Sequence, residues 1–122
     1  MVSVLTIMAA DRDRALRLAA KIGLSGEISG LIARERDEEV GWLLTGMRNG
    51  EIQLLAAETQ EDIVLEGLIR TALYSAYDRG ILRASCQMPA LFPMLERLRF
   101  DRDCGEKRVV SLPEFCHRPC RA

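Results

Sequence analysis

Between Glu51 and Cys86 the chain changes its hydrophobic period twice, and no other stretch constrains the fold as tightly. Glu51 to Glu58 is a short apolar run entered through Asn49-Gly50, a dipeptide suited to a tight hairpin because both residues tolerate positive φ. Val64, Leu65, Leu68, Ile69, Ala72, Leu73 and Ala76 then recur at helical spacing and line one face of a helix of about five turns. Thr59-Gln60-Glu61-Asp62 ahead of it resembles a capping box with Asp62 in the reciprocal place, and Gly80 is a natural C-terminal stop. Ile81 to Cys86 reads as a strand again. A strand joined to the next through a helix predicts parallel pairing by a right-handed crossover.

The flanking segments complete a mixed sheet. Val2 to Met8 is β-prone, Asp11 is a candidate N-cap, and Leu16, Ala19 and Ala20 recur at helical spacing until Gly23. After a loop over Gly23–Gly30, strands from Leu31 to Arg36 and Val40 to Met47 flank an Asp37-Glu38 turn and form an antiparallel meander with Glu51–Glu58. Pro89 or Pro93 fits the first turn of a helix reaching Arg99, with Leu91, Met94, Leu95 and Leu98 inward. A last strand covers Arg108–Leu112, and Pro113–Ala122 reads as a tail. The expected class is α/β (α+β): a mixed central sheet with an antiparallel meander and one parallel crossover, in the order β-α-β-β-β-α-β-α-β.

Composition narrows the function classes. The 122 residues suit a single domain spanning 1–122, and 48% hydrophobic with 29% charged residues excludes a disordered chain. A net charge of -1, without basic blocks, implies no nucleic-acid or anionic-membrane partner. The segment Met1–Met8 is too short for a signal peptide and no apolar stretch reaches membrane length, so a cytoplasmic location is expected. There the four cysteines are expected as thiols or metal ligands rather than disulfides. Trp42, Leu44 and Gly46 alternate with Leu43, Thr45 and Met47, apolar on both faces. Such a strand is covered on both sides or gives one side to a second copy of the chain.

Gly67-Leu68-Ile69-Arg70-Thr71-Ala72-Leu73, Tyr77-Asp78-Arg79-Gly80 and Leu95-Glu96-Arg97-Leu98-Arg99-Phe100 are similar to the central helix and following helix end of the GNAT N-acetyltransferases. The resemblance spans Glu51 to Phe100, less than half the chain. It implies acetyl-CoA or another acyl-CoA as cofactor and a small-molecule or peptide amine as acceptor. It also implies Ala57, Gln60, Gly67 and Cys86 as cofactor-binding positions. The family cradles the CoA diphosphate on main-chain N–H groups at the helix start, reached through glycines. Here the glycine pair is absent, and Glu58, Glu61, Asp62 and Glu66 surround that helix start. Carboxylates stabilise a bare helix N-terminus. They repel a diphosphate, by about 1 kcal/mol for each close pair even in high dielectric. The family's tyrosine acid falls at Leu95, and the glycine before its final phenylalanine is Arg99.

Three readings follow. An acyl-CoA-dependent N-acyltransferase needs a carboxylate to deprotonate its amine, and Glu58 and Glu51 on the third meander strand are the candidates. A non-catalytic binding or regulatory module of the same fold accommodates the missing glycines and Leu95. The third reading is a thiol or metal protein: Cys86 ends the parallel strand, and Cys116-His117-Arg118-Pro119-Cys120 supplies soft ligands. A folded-back tail would bring Cys86, Cys116, His117 and Cys120 together, or set His117 as a base for Cys86. Asp11–Arg14 and Arg34–Glu39 are mixed-charge runs expected on solvated faces.

Overall fold

The computed structural model describes residues 5–24, 26–103 and 107–117. In chain order the elements are β1 (Leu5–Ala9), α1 (Arg12–Lys21), β2 (Ile28–Glu35), β3 (Glu38–Arg48), β4 (Glu51–Thr59), α2 (Asp62–Asp78) and β5 (Arg83–Cys86). A 3-10 turn at Pro89–Leu91 then leads into α3 (Phe92–Arg97), followed by β6 (Asp101–Asp103), β7 (Lys107–Ser111) and α4 (Leu112–His117). The strands form one seven-stranded sheet in the order β1-β2-β3-β4-β5-β7-β6. Every neighbouring pair is antiparallel except β4 and β5, which run parallel. This is the mixed α+β sheet with one crossover that the period changes predicted.

The two faces are covered unequally. α2, α3 and α4 bury Leu68, Leu73, Leu95 and Phe115 against Leu43, Leu54, Ala84 and Val110 on one face. α1 buries Ala15, Leu18 and Ala19 against Ile32 and Leu44 on the other, with Trp42 and Leu55 beside them. The apolar character of β3 on both faces thus has an intramolecular cause. The buried side of α1 is turned by one residue from the expected one: Ala15 and Leu18 point inward, and Leu16 is exposed.

Hairpins and helix ends account for most boundaries. Asn49 and Gly50 both adopt positive φ, the type I′ geometry whose twist matches the flanking strands. The preceding turn is made by Arg36 and Asp37, also at positive φ, one residue earlier than expected, so β2 ends at Glu35. Asp11 caps α1 by accepting from the Arg14 N–H at 2.8 Å. The capping box expected at Thr59–Asp62 does not form. Glu61 is the N-cap and makes no side-chain cap bond; the Thr59 hydroxyl donates to the Val40 carbonyl at 3.0 Å across β3 and accepts from the Glu61 N–H at 3.3 Å.

Three helices close in the same way. After α1, α2 and α3 the amides of Leu24, Ile81 and Phe100 return to the carbonyls of Ala19, Ala76 and Leu95. In each case the preceding residue is left-handed: Gly23, Gly80 and Arg99, with φ of 78°, 89° and 65°. Two elements were absent from the sequence reading, β6 and α4. The segment expected as a tail from Pro113 is helical to His117, with Phe115 buried against Tyr74 and Phe100.

Candidate functional site

The central feature is a gap that opens within the sheet. β4 pairs with β5 only from Glu51 to Leu54, the last rung joining Leu54 to Cys86. Beyond it β4 runs on to Thr59 while β5 stops. The cause lies in the register with β3: Leu44 pairs with Ala56 and Thr45 with Leu54, leaving Leu55 as an extra residue. Such a bulge bends the strand and increases its local twist just where the pairing with β5 ends. On the other side Cys86 ends β5, its sulfur accepting from the Met88 N–H at 3.4 Å as the chain turns off. Ala57 and Glu58 therefore lie on the part of β4 that borders the gap, and Cys86 sits at its floor.

The candidate carboxylates have different surroundings. Glu51 is largely buried at the start of β4 and engaged by Arg83 at 3.7 Å and Lys107 at 3.5 Å, at the end of the strand remote from the gap. Glu58 is exposed, and no side-chain partner for it is described. It pairs in register with Trp42 and, with Glu38, Glu39, Gln60 and Glu61, lines a cavity of about 360 Å³ beside the start of α2. A second cavity of about 280 Å³ adjoins it at Glu39, lined by Arg14, Arg17, Arg34, Asp11 and Ile32. Arg14 reaches Glu39 through one guanidinium nitrogen, at 2.7 and 3.0 Å to its two oxygens, and so spans the junction.

The start of α2 does not fit a diphosphate. Its first turn carries Asp62 and lacks glycine, and Glu61 stands at the N-cap. Arg97 is within reach but is held by Asp62 at 3.4 Å, and Glu66 is taken by Arg70 at 3.0 Å. Gly67 lies in the second turn facing β1, where a Cβ would meet Ile7 Cδ1 at 3.1 Å. Its missing side chain serves helix–sheet packing. Gln60 is exposed on the wall of the acidic cavity.

Of the residues in the cysteine readings, the structure describes Cys86, Cys116 and His117. Cys86 is buried in the core on the α2 face, and burial pushes its thiol above the ordinary range, partly offset by the Met88 hydrogen bond. Cys116 on α4 is also shifted up, by burial and then by nearby Asp78. His117 is committed to Tyr77, Nε2 to hydroxyl, at 2.8 Å. Among the described residues no three His, Cys, Asp or Glu side chains are grouped to hold a metal. Cys104 and Cys120 lie outside the described residues. Tyr74 and Tyr77 pack against α4. Leu95, at the position of the family's tyrosine, is fully buried in the core.

Sequence reasoning missed Trp42, Arg14, Arg17, Arg34 and Glu39 as cavity residues. For Arg14, Arg34 and Glu39 the available signal was the pair of mixed-charge runs, each of which looks like a solvated face until the register sets them side by side; Arg17 and Trp42 lie outside both runs. Among the described residues no helix is long and apolar enough to cross a membrane.

No family model and no curated protein matches the chain, whereas many solved structures do. The ribosomal-protein-S18-alanine N-acetyltransferase from Escherichia coli superposes with a TM-score of 0.72, over 89% of this chain and 94% of that one, at 10% identity. The aminoglycoside 6′-N-acetyltransferase from Enterococcus faecium gives 0.65 over 88% and 97%, at 12% identity. The PaiA N-acetyltransferase from Thermoplasma acidophilum, in complex with coenzyme A, gives 0.54 over 81% and 69%, at 16% identity.

Proposed function

We propose, for a chain that has the fold of the GNAT acetyltransferases, that it binds an acyl thioester of CoA through the pantetheine arm and passes the acyl group to an amine. The observation that carries this reading is the gap beyond the Leu54–Cys86 rung. There Ala56 to Thr59 have β3 on one side and no ladder partner on the other among the described residues. A pantetheine arm is an extended chain with amides, able to complete such a ladder as an added strand does. Glu58 borders the gap and has no described side-chain partner, so it can take the proton that an ammonium loses before attack. The new C–N bond then replaces the C–S bond of the thioester, and the departing thiolate takes up the second proton shed by the nitrogen, leaving an amide and a free thiol.

The acidic start of α2 gives the reading a specific form: affinity comes from the arm, with little from the diphosphate. Calorimetric titrations with acetyl-CoA and acetyl-pantetheine test it. Both are expected to bind, with constants within about tenfold of each other, or 1.4 kcal/mol. Absence of heat and of any thermal shift with either, at millimolar ligand, would sink the reading.

A second reading, a binding module of the same fold without catalysis, is favoured by one observation. Leu95 fills the core where an acid for the departing thiolate would be sought. It predicts thioester binding with no acyl transfer. Turnover with any primary amine refutes it.

A further inference from the structure

The two cavities are of opposite character and meet at one residue. Cross-strand rows place them side by side: Ile32 pairs with Trp42 and Trp42 with Glu58, while Arg34 pairs with Glu39 in the next row. Ile32 and Arg34 line one cavity, Trp42 and Glu58 the other, and Glu39 lines both. In the acidic lobe, Glu38, Glu58 and Glu61 have no described ion pair, and the half-buried Trp42 contributes to the wall. In the basic lobe, Arg17 and Arg34 are likewise without a described partner, and Asp11 turns one carboxylate oxygen to the α1 N-terminus. Arg14 keeps its Nε–H buried without an acceptor while its Nη2 binds Glu39. An orphaned guanidinium N–H on a residue that lines the basic lobe is a donor that an entering anionic group can satisfy once the side chain turns.

Neither lobe alone explains this arrangement. The carboxylates are spread along a wide wall and, with no group among the described residues close enough to hold a metal, suit an organic cation better than a metal ion. An indole beside them favours an ammonium through its quadrupole. Two unpaired arginines at the far end suit a carboxylate. Two strand spacings of about 4.8 Å separate β4 from β2, and Arg34 lies two residues along β2 from the row of Glu58, so the two ends of the groove stand roughly 12 Å apart at the backbone level.

We propose that this two-lobed groove binds a zwitterion, an amino acid or short peptide whose ammonium lies against Glu58 and Trp42 and whose carboxylate reaches Arg34 and Arg17. The inference rests on the acyl-transfer reading only for the identity of the ammonium as the acylated group. The lobe that holds it includes Glu58, the same carboxylate that borders the gap between β4 and β5.

Trp42 is the only tryptophan in the chain, so its fluorescence reports occupancy without any acyl donor. The protein is titrated with 6-aminohexanoate, with pentylamine, which lacks the carboxylate, and with hexanoate, which lacks the ammonium. A saturable change is expected with 6-aminohexanoate, at least about tenfold tighter than with either half-molecule. Arg34→Met is expected to bring the zwitterion down to the affinity of pentylamine while leaving pentylamine itself unmoved. Equal binding of pentylamine and 6-aminohexanoate overturns the proposal, as does no saturable response to any of the three. The outcome is independent of the thioester titrations: a zwitterion that binds to protein deaf to acetyl-CoA removes the catalytic reading and leaves this one standing. Acetyl-CoA binding with no zwitterion response does the reverse.

Discussion

Tyr77 on α2 and His117 on α4 share a hydrogen bond of 2.8 Å, and their rings meet edge to face with centroids 5.4 Å apart. The contact fastens the end of the described chain to the helix that forms the crossover. One and two turns earlier, Tyr74 and Arg70 pack on the ring of Phe115 at 5.8 and 5.6 Å. The segment after Leu112 is therefore part of the core. Removing the Phe115 ring leaves a cavity in that core, and Phe115→Ala is expected to cost about 3 kcal/mol. Tyr77→Phe loses one partly exposed hydrogen bond, about 1 kcal/mol. Urea unfolding of both variants checks the ranking. Comparable losses, or none for Phe115→Ala, would mean that α4 does not dock as described.

Arg99 stands in the left-handed region at φ 65°, immediately before Phe100, whose N–H returns to Leu95 at 2.9 Å. The position accepts a glycine without strain, whereas an L side chain there costs roughly 1 kcal/mol. Arg99→Gly is expected to raise stability by about that amount less the entropy that glycine adds to the unfolded chain, a net gain of some tenths of a kcal/mol. Arg99→Val, β-branched, is expected to lower it. A chemical denaturation series over the three residues decides; a stability order with glycine lowest would contradict the helix-end geometry.

The acids at the start of α2 make a prediction about ligand discrimination. Asp62→Asn removes one negative charge near the helix N-terminus and releases Arg97 from its 3.4 Å ion pair. Both changes favour a diphosphate, each on the order of 0.5–1 kcal/mol at an exposed site. The variant should bind acetyl-CoA several-fold more tightly and acetyl-pantetheine no differently. An equal effect on both ligands would place the diphosphate elsewhere.

The crossover was legible because its signals were strong and mutually consistent. Asn49-Gly50, the long apolar face of α2 and Gly80 each specify one geometry, and together they fixed the parallel β4–β5 pair. The bulge at Leu55 was not legible. Nothing in Leu54-Leu55-Ala56 distinguishes a bulged strand from a regular one, and the extra residue shows only in the pairing with β3. α4 escaped notice because Leu112–His117 is a short helix containing Pro113, held by Phe115 packing more than by any local preference. The candidate site was hidden for a related reason. Arg14 and Glu39 are distant in sequence, and the register that juxtaposes them depends on a second bulge, at Val40, where Ala33 pairs with Gly41 but Arg34 with Glu39.

Burial at Cys86 makes a last prediction, in reactivity and in pH dependence. The thiol sits at the floor of the gap with its sulfur in the core, and its folded-state pKa is raised, by burial first and against the Met88 hydrogen bond. A group whose pKa is raised on folding contributes its full stability below the unfolded value. That stability fades as pH climbs through the unfolded and then the folded value. Native protein should therefore lose stability as pH rises above about 8.5, where an unfolded cysteine ionises. Cys86→Ala is expected to flatten that part of the profile while costing stability at neutral pH through the space left at the sulfur. In parallel, a thiol reagent at neutral pH should label Cys116 before Cys86, since Cys116 is only partly buried. Labelling is followed by mass spectrometry of peptides carrying each residue. Rapid modification of Cys86 in the folded protein would mean that the floor of the gap is open to solvent and the sheet there looser than its pairing with Leu54 indicates.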